Sequence, residues 1–187
     1  MRSVRFRSHA GARPRVLAGV LCLAMSAAAC GGGAFTTSTT EAPLPAGPTP
    51  SKIAKMICAN EAIQQIDSAL GENATVSTPT WVDHLYSCQY GYPTGSMVLS
   101  VKELSSWSQT KAYFAMLEVQ MGKSRDLLGL GQAAFQATDG SVVVRKDWKI
   151  LVVDSTGLPP QFGQPPTSSG DVAVTVGDVI LGCWEGD

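Results

Sequence analysis

The cysteines carry the most specific chemistry in this chain, because the five of them stand in different settings. Cys30 closes the run Ala27-Ala28-Ala29-Cys30-Gly31, whose small residues suit a signal peptidase and put a thiol at the first mature position. The expected chemistry there is lipidation, with palmitate among the acyl groups. Typical lipoprotein signals carry Leu where this chain has Ala27, so the alternative is an ordinary A-x-A cleavage at the same bond that leaves Cys30 a free thiol. Cys22 departs with the signal, and Cys58, Cys88 and Cys183 remain in the folded part. Outside the cytoplasm two of these three should be bridged. The favoured pair is Cys58–Cys88, which would lock a helix onto a strand; a pair involving Cys183 is the alternative.

The other chemically capable residues give weaker patterns. His84 is the single histidine after residue 30, and no C-x-x-C or H-x-x-x-H spacing occurs, so neither a metal nor a cofactor is expected. A hydrolase using His84 as base needs a serine or carboxylate beside the ring, and the chain has no G-x-S-x-G elbow. His84 therefore reads as a solvent-facing residue at a strand start, and no catalytic residue is assigned. Gly129-Leu130-Gly131-Gln132-Ala133-Ala134 matches G-x-G-x-x-A in letters, but Asp139-Gly140 makes the following segment a hairpin, not the long helix a dinucleotide site requires. These glycines read as turn residues. Tyr86, Tyr90, Tyr92, Trp107 and Trp148 could line a ligand cleft or simply fill a core. Asn73-Ala74-Thr75 is a glycosylation sequon by pattern and reads as a loop.

The ends of the chain fix its organisation. Residues 1–29 contain five arginines and no acid, with an apolar run at 16–29 too short to span a bilayer comfortably. That is an export signal of the general secretory type. Its removal takes five of 14 basic residues and none of 15 acids, leaving nine against 15, so the net charge moves from −1 to near −6. Such an acidic chain is no nucleic-acid binder, and anionic headgroups would not attract it, so the membrane partner is reached through the N-terminal lipid. Residues 30–50 are rich in Gly, Thr, Ser, Ala and Pro and form the lipidated cysteine plus a flexible tether; Thr36-Thr37-Ser38-Thr39-Thr40 has the composition of a glycosylated stalk or of a plain spacer. Residues 51–187 form a single α+β domain.

Within that domain, Ser51 is an N-cap, Ile53, Met56, Ile57, Ile63, Ile66 and Leu70 recur at helical spacing, and Gly71 ends the helix. A short extended piece near 74–78 precedes strands at 84–92 and 96–104, joined as a hairpin across Pro93-Thr94-Gly95. Met97, Leu99 and Val101 alternate with Val98, Ser100 and Lys102, which gives that strand one buried and one wet face. A second helix follows Ser105-Ser106 with Trp107, Phe114, Leu117 and Met121 on one side, and Gly122 stops it. Segments 133–138 and 141–145 flank Asp139-Gly140, and 148–154 adds a third strand. After a proline-rich loop at 158–166, Val172, Val176, Val179, Ile180 and Cys183 have helical spacing against a strand-like composition. The expectation is an antiparallel sheet with helices packed on one face, the two halves being a pseudo-repeat of one helix-plus-strands unit.

On Ile57-Cys58, Leu70-Gly71, Ser87-Cys88-Gln89-Tyr90, Met97-Val98-Leu99-Ser100-Val101 and Gly129-Leu130-Gly131-Gln132-Ala133-Ala134-Phe135, the chain resembles actinobacterial, mycobacterial-type cell-envelope lipoproteins of unknown function. It is similar in plan to the PknH-like extracellular sensor domain. The resemblance implies a small α+β domain with a helix-to-strand disulfide, displayed outside the membrane, that binds something and catalyses nothing known. The expected function is that of a non-enzymatic envelope lipoprotein whose domain binds a partner protein or a small apolar or glycan ligand; the alternatives are a secreted hydrolase using His84 and a structural envelope adaptor, which would show a large exposed apolar patch and no enclosed pocket. Cys183 departs from a simple two-cysteine pattern.

Overall fold

The structure is a computed structural model that describes residues 46–185; the expected export signal, Cys30, the Thr36-to-Thr40 cluster and most of the expected tether lie outside the described residues. Ser51 caps the first helix as its sequence position predicts, its Oγ accepting from the Ala54 amide at 3.1 Å. The helical pattern that looked continuous is broken, however, into α1 (Lys52–Met56) and α2 (Asn60–Leu70). The break has a tertiary cause. The Ile57 carbonyl accepts a hydrogen bond from the Tyr90 hydroxyl at 2.6 Å, Cys58 is tied to Cys88, and Ala59 turns extended before α2 begins. Gly71, at φ 65°, ends α2 in the left-handed conformation that glycine accepts without strain.

Among the described residues an eight-stranded antiparallel sheet forms the centre, with four helices around it. Its strands are β1 (Thr75–Val76), β2 (Thr80–Val82), β3 (Leu85–Tyr92), β4 (Gly95–Glu103), β5 (Lys123–Asp126), β6 (Ala133–Ala137), β7 (Val142–Lys146) and β8 (Lys149–Asp154). The spatial order is β1-β3-β4-β8-β7-β6-β5, with β2 also paired to β3. Each half thus ends in a central strand, and β4 meets β8 from Val98↔Asp154 to Glu103↔Lys149. At the level of strands this is the arrangement a repeat would produce.

The helices do not follow that symmetry. α1, α2 and α4 (Ser169–Glu185) cover one face, where Leu99, Val101, Val142, Val144, Leu151 and Val153 meet Ile66, Val176 and Ile180. α3 (Trp107–Gln120) lies on the opposite face, its Phe114 and Leu117 packing with Phe135, Val143 and Ile150. The expectation of helices on one face is therefore corrected: β7 carries three consecutive valines, 142 to 144, because both of its faces are buried. The C-terminal segment is a helix despite its valines, since Val172, Val176 and Ile180 reach the sheet at four-residue spacing. Gly170 lets that helix start close to the sheet; a Cβ there would meet the Gln136 amide nitrogen at 2.8 Å. The loop at 158–166 carries a small hairpin of β9 (Gln161–Phe162) and β10 (Thr167–Ser168), and Phe162 packs edge-on to Tyr92 at 4.8 Å.

Candidate functional site

Cys58 and Cys88 are bridged, with Cα atoms 6.1 Å apart, and Cys183 is a buried free thiol that donates to the Gln65 side-chain carbonyl at 3.4 Å. Burial, and secondarily Glu61, raise the Cys183 pKa, so it stays a thiol at neutral pH. The bridge joins the chain between α1 and α2 to the third strand, at the point where the helical pattern breaks.

His84 is exposed. The Val82↔Leu85 pair leaves Asp83 and His84 as a two-residue turn with φ of 50° and 58°, the geometry of a type I′ hairpin made without glycine. The His84 carbonyl accepts from the Glu103 amide at 2.9 Å, Lys102 Nζ reaches the Asp83 carbonyl, and the imidazole stands edge-on to Trp81 at 5.6 Å. Among the described residues no serine or carboxylate is hydrogen-bonded to that ring.

The five aromatic residues do not line one cleft. Tyr90 and Tyr92 are buried in the core beneath α2 and α4, and Tyr86 packs against the same core. Trp107 lies on α3, on the other side of the sheet, with the Arg145 guanidinium 4.7 Å from its ring centre. Trp148 sits partly buried in the turn between β7 and β8, its carbonyl accepting from Leu104 at 2.8 Å. Gly129 and Gly131 are turn residues at φ 85° and 58°, as their sequence context implies, and a Cβ on Gly131 would meet the Arg145 carbonyl at 2.8 Å.

The tyrosines make a measurable prediction. Burial, then the nearby Tyr92, Asp67 and Cys183, push the Tyr90 phenol well above 10.0; burial, then Asp67 and Glu72, do the same to Tyr92. An acid whose folded pKa is raised binds its proton more tightly in the native state, so its contribution is complete below the unfolded value and is lost as pH rises beyond it. Stability should be steady below about pH 10 and fall above it. Tyrosinate absorbance should then show two of the four tyrosines ionising only as the fold is lost. Reversible ionisation of all four with circular dichroism unchanged would contradict this.

Two sites were not singled out in the sequence. The first lies at one end of the sheet, where Glu103 and Lys149, 4 % and 5 % exposed, occupy directly opposed positions of β4 and β8. The Glu103 carboxylate accepts from the Ser51 hydroxyl and, at 3.4 Å, from its amide, which fastens the start of α1. Ala46 donates to the Leu104 carbonyl at 3.1 Å and Trp81 to the Pro48 carbonyl at 3.1 Å, so the chain at 46–48 lies along this same end. The signal was available: Glu103 is in phase with Met97, Leu99 and Val101.

The second is an open groove of about 540 Å³ on the edge of the sheet, on the face opposite α2. Ala74 and Val76 turn into the core, so Asn73, Thr75 and Ser77 project outward; Gln89 and Gly91 do the same between Cys88, Tyr90 and Tyr92. These five line it together with Tyr92 and Pro93. Ser77 and Gln89 are tied by two hydrogen bonds: the Ser77 amide donates to the Gln89 main-chain carbonyl at 2.9 Å, and the Gln89 main-chain amide donates to the Ser77 hydroxyl at 3.0 Å. The Gln89 side-chain Nε2 donates to Ser96 Oγ at 2.8 Å. The groove thus offers amide and hydroxyl groups set in a larger apolar surface, with no charged side chain in its lining.

No helix of the described residues is long and apolar enough to cross a membrane, and no cluster of described residues could hold a metal ion. In comparisons with protein families, with curated proteins and with solved structures, nothing matches this chain.

Proposed function

We propose that this chain is a non-enzymatic cell-envelope lipoprotein, held outside the membrane by a lipid on Cys30, whose domain binds a neutral, hydroxyl-rich ligand of glycan type. The single observation that carries the ligand class is the uncharged lining of the groove beside β1, in which the amide and hydroxyl groups of Asn73, Thr75, Ser77 and Gln89 stand among apolar surface that includes Tyr92 and Pro93. Such a lining suits a sugar, whose hydroxyls exchange hydrogen bonds with the amides and hydroxyls while its C–H faces cover the apolar part, whereas an ionic ligand would find no countercharge and a wholly apolar one would leave the polar groups unpaired. The Cys58–Cys88 bridge supports an oxidising compartment, and the signal ending at Cys30 supports lipid attachment. The resemblance to envelope sensor domains belongs to the same proposal.

Two measurements test it. Mature protein should partition into detergent, and Cys30→Ala should release it; an unmodified Cys30 at the N-terminus in mass spectrometry would end the lipoprotein reading. Titration against a panel of neutral oligosaccharides should find binding that Asn73→Ala or Gln89→Ala weakens about tenfold, one lost hydrogen bond's worth, with the melting temperature unchanged. His84→Ala should bind normally. Absence of binding across the panel, or groove variants that bind like the parent, would overturn the ligand assignment.

A further inference from the structure

α3 has apolar residues on both its sides. Phe114 and Leu117 close the second core against the sheet, while Ala112, Ala115, Met116 and Val119 face away from it. Met116 is 38 % exposed and Val119 83 % exposed. Their spacing, three, one and three, is a single stripe along the helix. A helix apolar on both sides is what one finds between two layers, yet among the described residues only the sheet is there to cover it.

The charges beside the stripe say what the second layer is. Lys111 and Glu118 flank it on one side, four residues before and three after Ala115. Each is held at the edge of the stripe within its own chain, Lys111 over the Trp107 ring at 5.7 Å and Glu118 beside Lys123 at 2.9 Å. When the stripe is laid antiparallel on a copy of itself, with the two-fold axis at Ala115, Lys111 of each copy comes opposite Glu118 of the other. A parallel two-fold pairing would instead turn the charged flank of each copy toward the uncharged flank of the other and leave both charges without a partner across the contact. Self-complementarity of this kind is the mark of an isologous interface, in which flanking charges fix orientation.

We propose that the outward face of α3 is the contact surface of a two-fold dimer, and that its occupant is α3 of a second copy of this chain. The helix has 14 residues, about 21 Å of length, so the contact falls below the roughly 1,200 Å² of a standard stable interface. The dimer is accordingly weak and concentration-dependent, and is favoured wherever copies are crowded.

Ala115→Cys in the full chain, oxidised at graded concentrations, tests this directly. A peptide joined 115 to 115 is expected, while Val82→Cys, at another exposed position away from the stripe, should give no matching self-linked peptide. Adding Lys111→Glu should cut the 115 linkage several-fold by setting like charges opposite each other, and adding Glu118→Lys as well should restore it. The proposal is overturned if 115 links no faster than 82, if it links chiefly to another protein, or if the double reversal fails to restore what the single one removed. Val119→Lys should abolish the linkage while leaving the melting temperature unchanged; a 115–115 yield unaffected by that change would overturn the proposal too.

Discussion

Reduction of the Cys58–Cys88 bridge is expected to lower the stability of the domain by about 3 to 4 kcal/mol, the chain-entropy value for closing a loop of that length. The loop has a sequence separation of 30, and the Cα atoms lie 6.1 Å apart, well within bridging range. For a domain of this size that is a fall of about 10 to 15 °C in melting temperature. Cys88→Ser should do at least as much, because it also places a hydroxyl among Ile57, Tyr90 and Leu99 in the core. Cys183→Ser should cost about 1 kcal/mol or less, since a hydroxyl can donate to Gln65 in the thiol's place. Urea titration of the three proteins, with a peptide map of the oxidised parent, decides the matter. Equal losses for Cys88→Ser and Cys183→Ser, or any linked peptide containing Cys183, would refute the assignment.

Phe135→Ala should be as damaging, about 3 to 5 kcal/mol, and it examines the face of the sheet that the sequence pattern left unassigned. Phe135 is fully buried, and its ring meets that of Phe114 edge-to-face at 5.3 Å, so the loss combines transfer, a cavity and an aromatic pair. Phe114→Ala alone should cost somewhat less, because Phe114 lies at the margin of that core. In a double-mutant cycle the two should couple by about 0.5 to 1.5 kcal/mol. Additive effects within about 0.3 kcal/mol would mean that α3 is not docked where Phe135 can reach it.

What local chemistry could determine, the sequence determined by itself. The cap at Ser51, the stop at Gly71, the alternation of Met97, Leu99 and Val101, the Asp139-Gly140 hairpin and the helical spacing from Val172 to Ile180 each depend on neighbours a few residues away, and each is found in the structure. The turn character of Gly129 and Gly131 was legible for the same reason. β5 was not, because Lys123, Ser124, Arg125 and Asp126 form an exposed edge whose side chains carry no buried-face pattern. Nor was the break between α1 and α2, which exists because Tyr90, 33 residues further along, claims the Ile57 carbonyl.

The candidate groove was illegible for a related reason. Asn73, Thr75 and Ser77 look like loop residues until β1 is laid on β3 at Thr75↔Gly91, which sets them beside Gln89. The proposed aromatic cleft was dispersed by the same pairing, since the register of β3 sends Tyr90 and Tyr92 inward while Trp107 rides on α3. Periodicity says that a residue has a buried side; it does not say what lies there. That is decided when strands distant in the chain pair and helices choose a face, as β4 does with β8, because the free energy of a face belongs to the surface formed by several segments and to none of them alone.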